Sequence, residues 1–283
     1  MKTAPIASAI LVLSALTATP AFAAGSASVS TGPLVVTLTD LDLTDGIAPS
    51  ITFFQYGWEQ SYVNVGAGSH YHYVNGASGY APISDSASDA GNSAAGSVVG
   101  DGTALGTTLT ASSTSPDVYS LAPSTSSNAY AYSTVYGSFK LSGGTLAIFS
   151  INFTAASSGA GYYRDAVTSD PYGERAEAGA SIQVYGRGAF GVDGSSQGSD
   201  VDGGTFMDPP SSGPLTPYDR NVSQSLKVTF LNLTKGELAG DLEIDAFANS
   251  DSTALPAVPE PGTSAMLLAG LAAIGFALRK KRA

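Results

Sequence analysis

Short segments in which apolar and polar residues alternate recur through the middle of the chain, and no window has a sustained 3.6-residue apolar period. In residues 181–190, for example, Ile182, Val184 and Phe190 fall on one side of an extended strand. Glycine, asparagine, aspartate, serine and proline separate such segments, as they do in turns between strands. The sequence therefore predicts an all-β fold, an antiparallel β-sandwich or jelly roll over residues 24–257.

Further strands are predicted near residues 34–39, 51–58, 60–65, 69–74, 104–110, 129–141 and 145–153. Two stretches rich in turn-forming residues, near 84–104 and 193–219, are predicted to be loops. A segment of this length suits one large β domain, and two smaller sandwiches divided near 84–104 are the alternative.

The last part of this segment predicts a β-hairpin. Residues 226–230 and residues 238–248 each have one apolar face. A three-residue loop at 235–237 places Val228 opposite Ile244, so that the apolar faces of the two strands coincide.

Three acidic residues of the second hairpin strand, Asp241, Glu243 and Asp245, share one face. A glycoside hydrolase needs two acids on opposite sides of a cleft, which one strand does not provide. We therefore expect a solvated face, on which Lys227 lies opposite Asp245.

The charge of the chain limits its partners. Its 283 residues include 23 acidic and 12 basic side chains, a net charge of -11. This balance opposes binding to nucleic acid, because lysine and arginine must displace counterions from the phosphates. The absence of cysteine excludes disulfides, thiolate metal ligands and a cysteine nucleophile.

Both ends of the chain have the pattern of export signals. Residues 1–23 contain Lys2, an apolar run and small residues before Ala23, the layout of a secretory signal peptide that is cleaved after Ala23. The C-terminus has three parts: Val258, Pro259, Glu260 and Pro261; an uncharged run at 263–278; and Arg279, Lys280, Lys281 and Arg282. The run is predicted to be a short transmembrane helix whose basic end stays in the cytoplasm.

This tail resembles the PEP-CTERM sorting signal of Gram-negative bacteria that produce exopolysaccharide. The resemblance covers residues 258–283 and includes the Pro-Glu-Pro sequence, the short apolar helix and the basic end. It implies cleavage near Pro-Glu-Pro by an exosortase, a membrane enzyme. The implied route runs from an inner-membrane-anchored precursor to the cell surface or the extracellular space, whereas a permanent single-pass anchor is the alternative interpretation.

Few residues in the segment 24–257 suggest a metal site. His70 and His72 are the only histidines, and an H-x-H pair needs at least a third ligand. Asp40, Asp42 and Asp45 form an oxygen-rich segment of the kind that binds calcium, although the spacing of an EF-hand is absent. Side-chain turns explain the same pattern. Calcium is therefore the only cofactor that the sequence suggests.

Tyr130, Tyr132 and Tyr136 share one strand face and can stack on the C–H faces of sugars. Packing between strands explains the same stripe. We expect a non-catalytic structural protein of the surface or the extracellular matrix, associated with exopolysaccharide or a biofilm. A carbohydrate-binding or calcium-dependent adhesin and an exported hydrolase are the alternatives.

Overall fold

The computed structural model describes residues 24–54, 58–66, 70–75, 82–100, 105–116, 121, 126–164, 171–186, 198–205 and 215–254. In these residues all regular secondary structure is β-strand, arranged in two antiparallel sheets, which confirms the predicted fold class. Within the same ranges no helix is long and apolar enough to cross a membrane. The predicted signal peptide with Ala23 and the whole C-terminal tail from residue 258 lie outside the described residues.

The first sheet has seven strands, β1 (Ser26–Thr31), β2 (Val35–Asp40), β6 (Ile83–Asp89), β7 (Asn92–Val99), β8 (Thr108–Thr114), β10 (Thr145–Gly159) and β14 (Tyr218–Asn232). They lie in the order β14-β10-β1-β8-β7-β6, and β2 also pairs with β10.

The second sheet has eight strands, β3 (Ile51–Phe53), β4 (Trp58–Val65), β5 (His70–Asn75), β9 (Ser126–Leu141), β11 (Gly161–Arg164), β12 (Pro171–Gly186), β13 (Gly198–Gly204) and β15 (Leu238–Thr253). They lie in the order β11-β12-β15-β9-β4-β5, while β13 pairs with β12 and β3 pairs with β9.

The apolar faces of the two sheets meet in one core. Phe139 of β9 contacts both Phe149 of β10 and Phe230 of β14, with the ring centroids 5.0 Å apart in each pair. All three side chains are fully buried. Because Phe139 belongs to one sheet and its two partners to the other, these rings join the sheets, and each buried ring contributes about 1.5–3 kcal/mol.

The loop predicted near 84–104 is wrong, because β6 and β7 form a hairpin there. Its turn consists of Ala90 and Gly91, whose φ angles of 46° and 89° are the left-handed values that tight hairpins need. The buried positions of β7 include Ala94 and Gly96, which are so small that the apolar alternation is weak in the sequence. The loop predicted near 193–219 likewise contains β13, and β14 begins at Tyr218.

The predicted C-terminal hairpin is also wrong, because β14 and β15 lie in different sheets. Val228 of β14 is opposite Phe149 of β10. Ile244 of β15 is opposite Ile182 of β12 and Val135 of β9. The apolar faces of both strands are buried, but each strand enters the core from its own sheet.

Asn232 fixes the connection between β14 and β15. Its buried side-chain amide donates hydrogen bonds to the carbonyl oxygens of Leu141, Ser142 and Gly236, at 3.0, 2.9 and 2.8 Å. Its Oδ1 accepts hydrogen bonds from the backbone N–H and the hydroxyl of Thr234. These bonds tie the connection to the end of β9, where the chain passes from one sheet to the other.

Candidate functional site

Tyrosines cluster on the outer face of the eight-stranded sheet. Alternate residues of β9 point into the core, which leaves Tyr130, Tyr132 and Tyr136 half-buried on the outer face. Tyr62 of β4 lies opposite Tyr132 in the register of the two strands. We call these four residues the tyrosine face.

Tyr62 and Tyr132 of the tyrosine face each contact the ring of Tyr130. The rings of Tyr130 and Tyr132 are nearly parallel, with an interplanar angle of 11° and centroids 6.5 Å apart. The ring of Tyr62 meets Tyr130 edge-on, with the centroids 5.6 Å apart. The sequence placed the three β9 tyrosines on one face but missed Tyr62. The only feature of the sequence that indicates the position of Tyr62 is the alternation of β4, in which Tyr62 lies between Ser61 and Val63.

A row of carboxylates on the neighbouring strand β15 borders the tyrosine face. Asp241, Glu243 and Asp245, which we call the carboxylate row, share the outer face of β15, but the predicted solvation is wrong. Asp241 and Asp245 are only 8% and 6% exposed. The predicted position of Lys227 is wrong as well, because it lies in the other sheet opposite Ser150.

Hydroxyl groups hold the buried carboxylates of the row. The Tyr132 hydroxyl donates to Oδ1 of Asp245 at 2.6 Å, and the Ser181 hydroxyl donates to Oδ2 at 2.8 Å. The Ser138 hydroxyl donates to Oδ1 of Asp241 at 2.7 Å. Since Tyr132 reaches across to β15, its side chain ties the tyrosine face to the carboxylate row.

Burial raises the pKa values of two tyrosines and one carboxyl group in this site. It is the main cause that raises the pKa of Tyr130 to about 12, with the nearby Tyr62 and Asp245 adding to it. Burial, followed by the charge of Asp245, also raises the pKa of Tyr132. The same two causes, in the same order, raise the pKa of the Glu243 carboxyl. The phenols therefore remain neutral hydrogen-bond donors at physiological pH.

The buried side-chain oxygen of Asn64, a residue opposite Tyr130, has no hydrogen-bond partner within the described chain. The hydroxyl of Thr134, a residue that is 1% exposed and lies opposite Asp245, interacts with the hydroxyl of Tyr132. A buried polar group without a partner costs about 1–3 kcal/mol. Rings, carboxylates and the Asn64 oxygen together offer the stacking surfaces and the hydrogen-bonding groups that a sugar needs.

The aspartates of the candidate calcium segment act as turn residues. Each carboxylate accepts a hydrogen bond from the backbone N–H two residues later: Asp42 to Asp40 at 2.9 Å, Thr44 to Asp42 at 3.1 Å and Ile47 to Asp45 at 2.7 Å. Across the described ranges, no three histidine, aspartate or glutamate side chains are placed to share a metal ion. Calcium binding stays a prediction.

The two histidines lie on β5. In the register of β4 and β5, His70 is opposite Val65 and His72 is opposite Val63. This strand is at one end of the eight-stranded sheet, whereas the carboxylate row lies on β15, separated from it by β4 and β9.

Comparison with known proteins concerns the tail alone. A family model described as the PEP-CTERM protein-sorting motif matches residues 257–282, which confirms the resemblance of the Pro-Glu-Pro segment, the apolar run and the basic end. No curated protein and no solved structure matches the chain. The chain thus carries a PEP-CTERM protein-sorting motif, which implies processing by an exosortase, a membrane enzyme, and export to the surface of a Gram-negative cell.

Proposed function

We propose that the exported chain is a non-catalytic structural protein of the cell surface or the extracellular matrix. It associates with extracellular polysaccharide through the outer face of its eight-stranded sheet. The observation that carries this proposal is the contact of Tyr62, Tyr130 and Tyr132 beside hydrogen-bonded carboxylates on that face.

The chemistry of the face supports binding rather than hydrolysis. Aromatic rings stack on the C–H faces of sugars, and carboxylates accept hydrogen bonds from sugar hydroxyls. Hydrolysis of a glycosidic bond needs two carboxyl groups on opposite sides of that bond. Asp241, Glu243 and Asp245 instead follow one another along a single strand.

Co-sedimentation of the full-length chain, purified in detergent, with cellulose, chitin and alginate gel tests this function. We expect binding to at least one polysaccharide, and weakening by about tenfold when Tyr130 and Tyr132 are both replaced by alanine, because each stacked ring contributes about 0.5–1.5 kcal/mol.

Leu43→Ala is the matched control, since it removes an exposed apolar side chain from the connection between β2 and β3. This variant is expected to bind as the unaltered chain does. Absence of binding to all three polymers, or equal binding by the tyrosine variant, would contradict the proposal.

A further inference from the structure

The spacing of the carboxylate row indicates what kind of cation suits it. Residues i and i+2 of a strand lie about 6.6 Å apart, so the Cα atoms of Asp241, Glu243 and Asp245 follow at that interval. One calcium ion needs all its oxygen ligands within about 2.6 Å. The described ranges accordingly contain no group of three metal-binding side chains. A row of evenly spaced charges instead suits a linear molecule with repeated positive charges.

The contacts of two members of the row are neutral. Asp245 accepts hydrogen bonds from the hydroxyls of Tyr132 and Ser181. The Tyr185 hydroxyl lies within hydrogen-bond reach of the side-chain oxygen of Gln183 and, at 3.3 Å, of Glu243. These neutral donors leave the negative charge of the two carboxylates in place, and a bound cation would balance it.

Within the described residues, two basic side chains of this sheet form ion pairs. Arg175 of β12 forms an ion pair with Glu177 at 2.6 Å. Lys140 at the end of β9 forms one with Glu237 at 3.3 Å. The face therefore repels a polysaccharide of acidic sugars and attracts a basic one.

An unpartnered polar group points to a ligand beside the rings. The side-chain oxygen of Asn64, a residue opposite Tyr130, is buried and has no hydrogen-bond partner in the described chain. An amino or hydroxyl group of a sugar bound beside Tyr130 would supply the missing hydrogen bond.

We infer that the tyrosine face and the carboxylate row together bind a linear polysaccharide that carries free amino groups, an inference that rests on the polysaccharide association proposed above. The rings stack on the sugar faces, and Glu243, the one member of the row that is not buried, pairs with a protonated amine, which also interacts favourably with aromatic faces.

Two oligosaccharides that differ only at the amine test the inference. Calorimetric titration of the full-length chain in detergent at pH 6 would compare a β-1,4-linked glucosamine hexamer with the N-acetylglucosamine hexamer. We expect the glucosamine hexamer to bind more tightly by up to about fivefold, because one ion pair at Glu243 contributes about 0.2–1 kcal/mol. Glu243→Gln is expected to remove most of this preference without weakening the binding of the acetylated hexamer.

Three controls separate the possible outcomes. Asp251→Asn removes a carboxylate of the same strand outside the row, and it is expected to preserve the preference. Equal binding of both hexamers would overturn the amine specificity but leave the polysaccharide association intact. Binding of neither hexamer would overturn this inference, whereas co-sedimentation with the three polymers tests the association itself. Polylysine that binds as tightly as the glucosamine hexamer, unaffected by Tyr130→Ala, would show general attraction of cations and also overturn the inference.

Discussion

At the scale of single residues, the carboxyl group of Glu59 of β4 makes an unfavourable contribution to the core. Its side chain is fully buried, and neither carboxylate oxygen has a hydrogen-bond partner within the described chain. Burial raises its pKa to about 7. Glu59 is therefore neutral at mildly acidic pH.

Glu59 makes folding stability depend on pH. An ordinary glutamate titrates near pH 4.5, so between about pH 4.5 and pH 7 the folded state binds more protons than the unfolded state. The contribution of this residue to stability is full below that window and is lost as the pH rises through it. We expect Glu59→Gln to reduce the fall in Tm between pH 5 and pH 8. Each kcal/mol by which the substitution lessens the loss of unfolding free energy corresponds to about 2–4 °C in Tm.

Thermal unfolding followed by circular dichroism measures this effect. Glu237→Gln is the control, because Glu237 is an exposed carboxylate in the connection between β14 and β15. Parallel Tm curves for Glu59→Gln and the unaltered chain would show that Glu59 does not titrate in this window.

At the scale of the strand, the sequence predicted the apolar face of each strand better than it predicted which strands pair. It placed the apolar faces of β14 and β15 correctly, because alternation within one strand is a local property. It paired the two strands wrongly, because the short connection between them equally suits a hairpin. In the structure β14 pairs with β10 along its whole length, and β15 is paired on both edges, by β12 and β9. These distant partners satisfy more backbone hydrogen bonds than a local hairpin would.

Engineered disulfides distinguish the two pairings, since the chain has no cysteine of its own. Ser150→Cys with Lys227→Cys places cysteines on residues that are opposite each other in β10 and β14. Opposed residues in antiparallel strands have Cα atoms about 4.5–5.5 Å apart, which suits a disulfide. We expect nearly complete intramolecular oxidation, seen as faster migration on a non-reducing gel.

The control pair is Thr229→Cys with Glu243→Cys, which the hairpin register would bring together but which the structure places in different sheets. This pair is expected to remain reduced. Oxidation of the control pair in preference to the first would support the hairpin.

At the scale of the whole molecule, the net charge of residues 24–257 is more negative than that of the full sequence. Five of the 12 basic residues lie in the two terminal segments, together with one acidic residue, Glu260. Residues 24–257 therefore keep 7 basic and 22 acidic residues, a net charge near -15. A chain of such charge repels copies of itself and acidic polymers, and it attracts basic ones.

Processing of the tail can be measured on the exported protein. In a Gram-negative host that has an exosortase, we expect intact-mass spectrometry to find a product without residues 279–282, because the motif marks the chain for cleavage. Replacing both Pro259 and Pro261 by alanine is expected to preserve the tail, since the accessible extended backbone before the helix is then lost. An exported protein that retains Arg279 to Arg282 in most molecules would contradict this prediction.

The sequence by itself determined the fold class, the faces of most strands and the sorting motif, because each depends on residues that are close together in the chain. Only the tertiary structure decided that residues 84–104 contain a hairpin, that β14 and β15 belong to opposite sheets, and that Tyr62 joins Tyr130 and Tyr132. It also showed that Asp241 and Asp245 are buried rather than solvated. Strand pairing depends on the competition among distant partners for backbone hydrogen bonds, and burial depends on which side chains that pairing brings alongside. The alternation of apolar and polar residues in a single strand specifies neither the pairing nor the burial.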